Sequence, residues 1–175
     1  MTNTRIISID AETNGLWGKP FAIAAIVYEN GQEVERVSFR CPISGKTNEW
    51  VEQNVLPEMV EIPLTHSSLE DMYQAFAAWY MASKKDASIL WHMGHVVEAG
   101  IFRDLVSLNM IGEWDAPYVP LEVSMLLMAA GEKPDSVDTY LLKHGLKKPE
   151  LTGGTHNPLY DAEVAASVFF HLQSK

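Results

Sequence analysis

Ile6-Ile7-Ser8-Ile9-Asp10-Ala11-Glu12 is a β-branched run that closes on two carboxylates two residues apart. β-Branched side chains suit the pleated surface of a strand, and strand residues two apart project from one face. Asp10 and Glu12 can therefore reach one cation if that face lies open at the strand end. Their hard oxygen donors favour Mg²⁺ or Mn²⁺ over zinc. Taken alone the pair is weak evidence, since a solvated turn entering Thr13-Asn14-Gly15 would carry the same residues.

Outward from this run, alternation and β-branching mark strands near 4–10, 20–29 and 33–40, with Asn30-Gly31 supplying a tight hairpin turn between the last two. The chain thus opens as a three-stranded antiparallel meander. A short helix is expected around 47–55, where Trp50, Val51 and Val55 recur at helical spacing, and the Pro57 and Pro63 region, 56–67, is expected to be loop. Leu69, Met72, Tyr73, Phe76, Trp79 and Tyr80 follow the helical period behind Ser67 or Ser68 as N-cap. Ala87-Ser88-Ile89-Leu90-Trp91-His92 reads as a short, mostly apolar strand. After Gly94 comes a helix with Val97, Ile101, Leu105 and Leu108 on its inner stripe. Pro117 to Leu121 is a further candidate strand. Helices are expected near 122–130, 136–144 and 158–173, with Gly131, Pro134 and a loop at 145–157 between them. The implied class is α/β, a mixed β-sheet of antiparallel meander plus parallel strands, flanked by α-helices. No repeat or linker divides residues 1–175, which are expected to form one domain.

With 47% hydrophobic residues the 175-residue chain can bury an ordinary core without staples. Cys41 is the only cysteine, which excludes an internal disulfide, fits a reducing interior and reads as a small buried hydrophobe. No apolar run approaches the roughly 20 residues of a membrane span. Met1-Thr2-Asn3-Thr4-Arg5 leads straight towards a strand, so a cytoplasmic location with no membrane partner is expected. The formal charge of -10 argues against a broad basic surface that grips long nucleic acid through many phosphates.

The second informative stretch is His156-Asn157-Pro158-Leu159-Tyr160-Asp161-Ala162. Asn157 suits a helix N-cap and Pro158 the first helical position, which puts Asp161 in the first turn, where the helix dipole favours a carboxylate in any case. His156 lies just outside the helix and can point where Asp161 points. Its ordinary pKa of about 6.5 suits proton transfer at neutral pH.

Asp10-Ala11-Glu12-Thr13-Asn14-Gly15-Leu16 and His156 with Asp161-Ala162 resemble the first and third motifs of the DnaQ-like (DEDDh) 3′–5′ exonucleases, which have an RNase H-like fold. The resemblance runs almost end to end. The middle motif departs from it, because Met93-Gly94-His95-Val96-Val97-Glu98 stands where that family usually carries His-Asn-x-x-Phe-Asp, so that Glu98 replaces an aspartate. Glutamate is longer by one carbon-carbon bond, about 1.5 Å, and offers the same two oxygens. Asp104 is the competing candidate, six residues further along the same helix. His92 and His95 have an His-x-x-His spacing with no further local zinc ligand, and a structural or substrate-lining role is expected for both.

The resemblance implies that Asp10, Glu12, Glu98 and Asp161 hold two divalent metal ions, Mg²⁺ or Mn²⁺, and that His156 is the general base. It further implies that the main chain around Thr13 reads the terminal 3′-hydroxyl and that Leu16 packs on the last bases. Trp17 is left between stacking on a base and burial in the core. The expected activity is 3′–5′ hydrolysis of single-stranded nucleic acid from its 3′ end to nucleoside 5′-monophosphates, with RNA favoured. Trp50 to Pro57 is similar to a segment of a compact bacterial exoribonuclease branch, which would imply a homodimer. Two alternatives stay open: a DNA exonuclease of repair or phage metabolism, and a nucleic-acid-binding module that has lost catalysis.

Overall fold

A computed structural model describes residues 4–151 and 153–174. Met1, Thr2 and Asn3, read above as leading into the first strand, lie outside them, as does Thr152 of the 145–157 loop. Five strands, β1 (Arg5–Thr13), β2 (Pro20–Glu29), β3 (Gln32–Arg40), β4 (Ala87–Trp91) and β5 (Leu121–Glu122), form one sheet in the order β3-β2-β1-β4-β5. The first three pair antiparallel, whereas β4 lies parallel to β1 and β5 parallel to β4. This is the expected mixed sheet.

The period-two pattern of β1 divides the core in two. Ile7, Ile9 and Ala11 face the layer of α1 (Glu49–Asn54), α2 (Leu69–Ser83) and α3 (Val97–Ser107). Ile6 faces the layer of α4 (Val123–Ala129), α5 (Val137–His144) and α6 (Pro158–Gln173). On the second face the buried Ser8 hydroxyl donates to the Ala162 carbonyl at 2.7 Å, pinning α6 across β1. Asp10 and Glu12 continue that face past Ser8, towards the N-terminal end of α6.

Several local expectations change. The 56–67 loop contains a 3₁₀ turn, Leu56–Met59, with Pro57 in its first turn. Only Leu121 and Glu122 join the sheet beside Leu90 and Trp91, because Pro117 and Pro120 have no N–H to offer a ladder. On α3, Leu108 is the C-cap and exposed, and Phe102 takes the core position instead. Cys41 is buried, which pushes its thiol pKa up. Among the described residues no helix is long and apolar enough to cross a membrane.

Candidate active site

Asp10, Glu12, Glu98, His156 and Asp161 line one cleft of about 460 Å³, together with Ala11, His92, Met93, Val97 and residues 135–138. Three separate parts of the chain meet there. β1 brings Asp10 and Glu12. The start of α6, capped by Asn157 through the Leu159 N–H at 3.1 Å, brings Asp161. Asp161 Oδ2 in turn accepts the His156 N–H at 2.7 Å, so helix start and histidine are locked as one unit. His156 pays for its place with a φ of +78°, a backbone seldom adopted by residues with a side chain.

Glu98 arrives by a different route. β4 pairs with β1 only as far as Ser8 beside Leu90, which leaves the edge of β1 open beyond that point. There the backbone N–H groups of Ala11 and of Glu98 itself meet the buried Glu98 carboxylate. The turn between β4 and α3 is shaped by Glu122, whose carboxylate accepts the N–H of Met93 at 2.7 Å and of Gly94 at 3.2 Å. Gly94 is required, because a Cβ at that position would come within 2.4 Å of the Trp91 ring. Sequence reading missed Glu122, since nothing in its neighbourhood marks a carboxylate that clamps a turn on another strand.

Crowding and loss of water dominate the electrostatics. Burial raises the Asp10 pKa well above its ordinary value, and Asp161, Glu98 and Glu12 add to the rise. Burial also raises Glu12, against the opposing pull of His156. Glu98 is pushed up to about 8 by burial, despite its backbone N–H partners, and Asp161 to about 7 by burial, despite the His156 N–H. His156 is raised by its interaction with Glu12, whose Oε1 lies 3.7 Å from Nδ1. Glu12, His156 and Asp161 present donor atoms within 4.8 Å of one another, while Asp10 and Glu98 line the same cleft outside this tight group. Carboxylates driven towards neutrality by burial, and by one another's charge, form a donor set that fits a hard divalent cation.

Asp138, another carboxylate at this cleft, is already engaged with Lys148 at 2.8 Å and the Tyr160 hydroxyl at 2.8 Å. Asp104 lies outside it, bonded to Lys19 at 3.0 Å and Tyr73 at 3.2 Å, so the fold brings Glu98 and not Asp104 to the cluster. His92 lines the cleft and its Nε2 meets the Pro134 carbonyl at 2.8 Å, whereas His95 lines a separate groove beside Trp91 and Phe102. Thr13, Leu16 and Trp17 line an adjoining cleft of about 260 Å³ that shares Val97 with the first. Leu16 and Trp17 are exposed, which removes core burial as the role of Trp17.

No family model and no curated protein sequence matches the chain. Solved structures do. The nuclease domain of 3′hExo, a DEDDh family member bound to rAMP, superposes with a TM-score of 0.69 at 11% identity, over 99% of this chain and 93% of that one. S. pombe Pop2p in its Mg²⁺- and Mn²⁺-bound form gives 0.73 at 12%, over 97% and 83%. Exonuclease X in complex with 5′ overhanging duplex DNA gives 0.61 at 17%, over 98% and 91%. The chain therefore has the RNase H-like α/β fold that these structures share.

Proposed function

We propose that residues 1–175 act as one metal-dependent 3′–5′ exonuclease, which releases nucleoside 5′-monophosphates from the 3′ ends of single-stranded nucleic acid, RNA in preference to DNA. The observation that carries this reading is the convergence of Asp10, Glu12, Glu98, His156 and Asp161 on one cleft. A shared fold alone would not suffice, because function resides in sites grafted on folds.

Asp10, Glu12, Glu98 and Asp161 would hold two Mg²⁺ or Mn²⁺ ions. When bound, such ions stabilise charge on the attacking and leaving oxygens of an in-line displacement. His156 takes the proton from the water whose oxygen bonds to the terminal phosphorus as the bond to the 3′-oxygen of the preceding nucleotide breaks. Glu12 keeps the imidazole turned into the cleft. Thr13 and Leu16, in the adjoining cleft, hold the terminal nucleotide and so set the direction of attack. The RNA preference is supported by the likeness of Trp50 to Pro57 to an exoribonuclease segment, which also supports a homodimer. A DNA substrate is the alternative, and a reducing, cytoplasmic setting suits the lone buried cysteine.

A time course on matched 5′-labelled single-stranded RNA and DNA, with Mg²⁺, Mn²⁺ or EDTA, tests this directly. Metal-dependent ladders that shorten from the 3′ end are expected, faster on RNA. Binding without cleavage would leave a retired active site. A second expectation concerns the middle motif: Glu98→Asp retains measurable turnover with an altered ratio of Mg²⁺- to Mn²⁺-supported rates. An unaltered ratio would remove Glu98 from the metal site.

A further inference from the structure

We infer that Trp50 is a positioning residue for His156, held in place by a circuit of contacts that begins and ends at the metal-binding strand; the inference rests on His156 being the base of the proposed reaction. Two residues beyond Glu12, the Asn14 side chain accepts the Asn48 N–H at 2.7 Å and donates to the Lys46 carbonyl at 3.0 Å. The Asn48 side chain then caps α1 by accepting the Trp50 N–H at 2.9 Å and the Val51 N–H at 3.4 Å. From this cap the Trp50 ring reaches His156, with centroids 5.1 Å apart and planes at 85°. Nδ1 of His156 lies 3.7 Å from Glu12, which closes the circuit.

The same segment braces the His156 loop at a second point. Glu58 Oε2 accepts the Gly154 N–H at 2.9 Å, and a Cβ on Gly153 would come within 2.6 Å of the Glu58 carbonyl. Such bracing is what a non-glycine residue at positive φ needs, since backbone strain persists only where its surroundings over-determine it. Trp50 is not needed to anchor its own helix, because Val51 is the buried residue of α1 while Trp50 is 53% exposed. An exposed indole whose edge-to-face partner is the candidate base limits how that imidazole can swing. Small misplacements of a reacting group carry large losses of rate.

Trp50→Ala is expected to fold normally and to lower kcat on a 5′-labelled single-stranded oligonucleotide by about three- to tenfold, the range of one aromatic pair, with KM unchanged. Trp50→Phe should recover most of the loss. In a His156→Ala background the same change should cost nothing further, since the two residues act through one contact. An independent readout needs no metal: the ring-proton NMR signals of His156, assigned by their loss in His156→Ala, should shift in Trp50→Ala as the indole ring current disappears, while those of His92 stay. Unmoved His156 signals, a raised KM at unchanged kcat, or equal losses in both backgrounds would overturn the inference. Wild-type kcat in Trp50→Ala with normal dependence on His156 sinks this inference alone. No cleavage by the wild type, or full activity in His156→Ala, sinks the base assignment and the inference with it.

Discussion

Asp10→Asn is expected to lower turnover by at least about 10³-fold in saturating Mg²⁺ or Mn²⁺, a loss like that of a key charge-stabilising group, and at the same time to stabilise the metal-free protein. The two effects share one cause. Asp10 stands among Asp161, Glu98 and Glu12, each of which raises its pKa in addition to burial. Removing its charge weakens cation binding and relieves the repulsion. In the metal-free chain every group of the cluster holds its proton more tightly than it would unfolded: Asp161 rises from 3.8 to about 7, Glu98 from 4.5 to about 8, and His156 above 6.5. The folded state therefore binds more protons, and its stability falls as pH rises from about 4 to 8. Melting curves without metal should show that fall, and Asp10→Asn should recover about 2–4 °C at pH 8. Divalent cation should restore the wild type most at high pH, where protons no longer compete. A wild type that melts at the same temperature from pH 5 to 8 in EDTA would contradict the crowded cluster.

His156→Ala separates base from ligand. Loss of a positioned base typically removes about 10²–10⁴-fold of rate, so kcat should fall by that order. The four carboxylates remain, and the rise in melting temperature on adding Mn²⁺ should largely survive. The wild-type rate should climb with pH through the pKa of His156 in the metal-loaded protein, because only the neutral imidazole accepts a proton. The variant should lack that climb. Full activity with an unchanged pH profile would take His156 out of the reaction.

Much of this was legible because the relevant residues are neighbours in sequence as well as in space. Asp10 and Glu12 are joined by strand periodicity, and His156 and Asp161 by the geometry of one helix start. Glu98 was placed by family resemblance, since a carboxylate in a helix first turn has an ordinary explanation as dipole stabilisation. Its burial follows from the early end of β4, which composition does not show. The span 117–121 looked like a strand by apolar content, but two prolines kept all but Leu121 out of the ladder. The link from Asn14 through Asn48 to Trp50 and His156 left no periodic trace, because it joins loops and caps distant in sequence.

The bond from Ser8 to Ala162 spans 154 positions, and the helix it fastens carries Asp161 while adjoining the histidine. Until α6 and the residues before it have been made, β1 is an acidic strand with no base beside it. In the proposed reaction the base and Asp161 reach the acidic strand only when α6 docks on β1, so a chain cut before Pro158 is expected to leave single-stranded nucleic acid uncleaved. In refolding from denaturant, cleavage should recover no earlier than the docking of α6 on β1, making activity a report on the contact between Ser8 and Ala162.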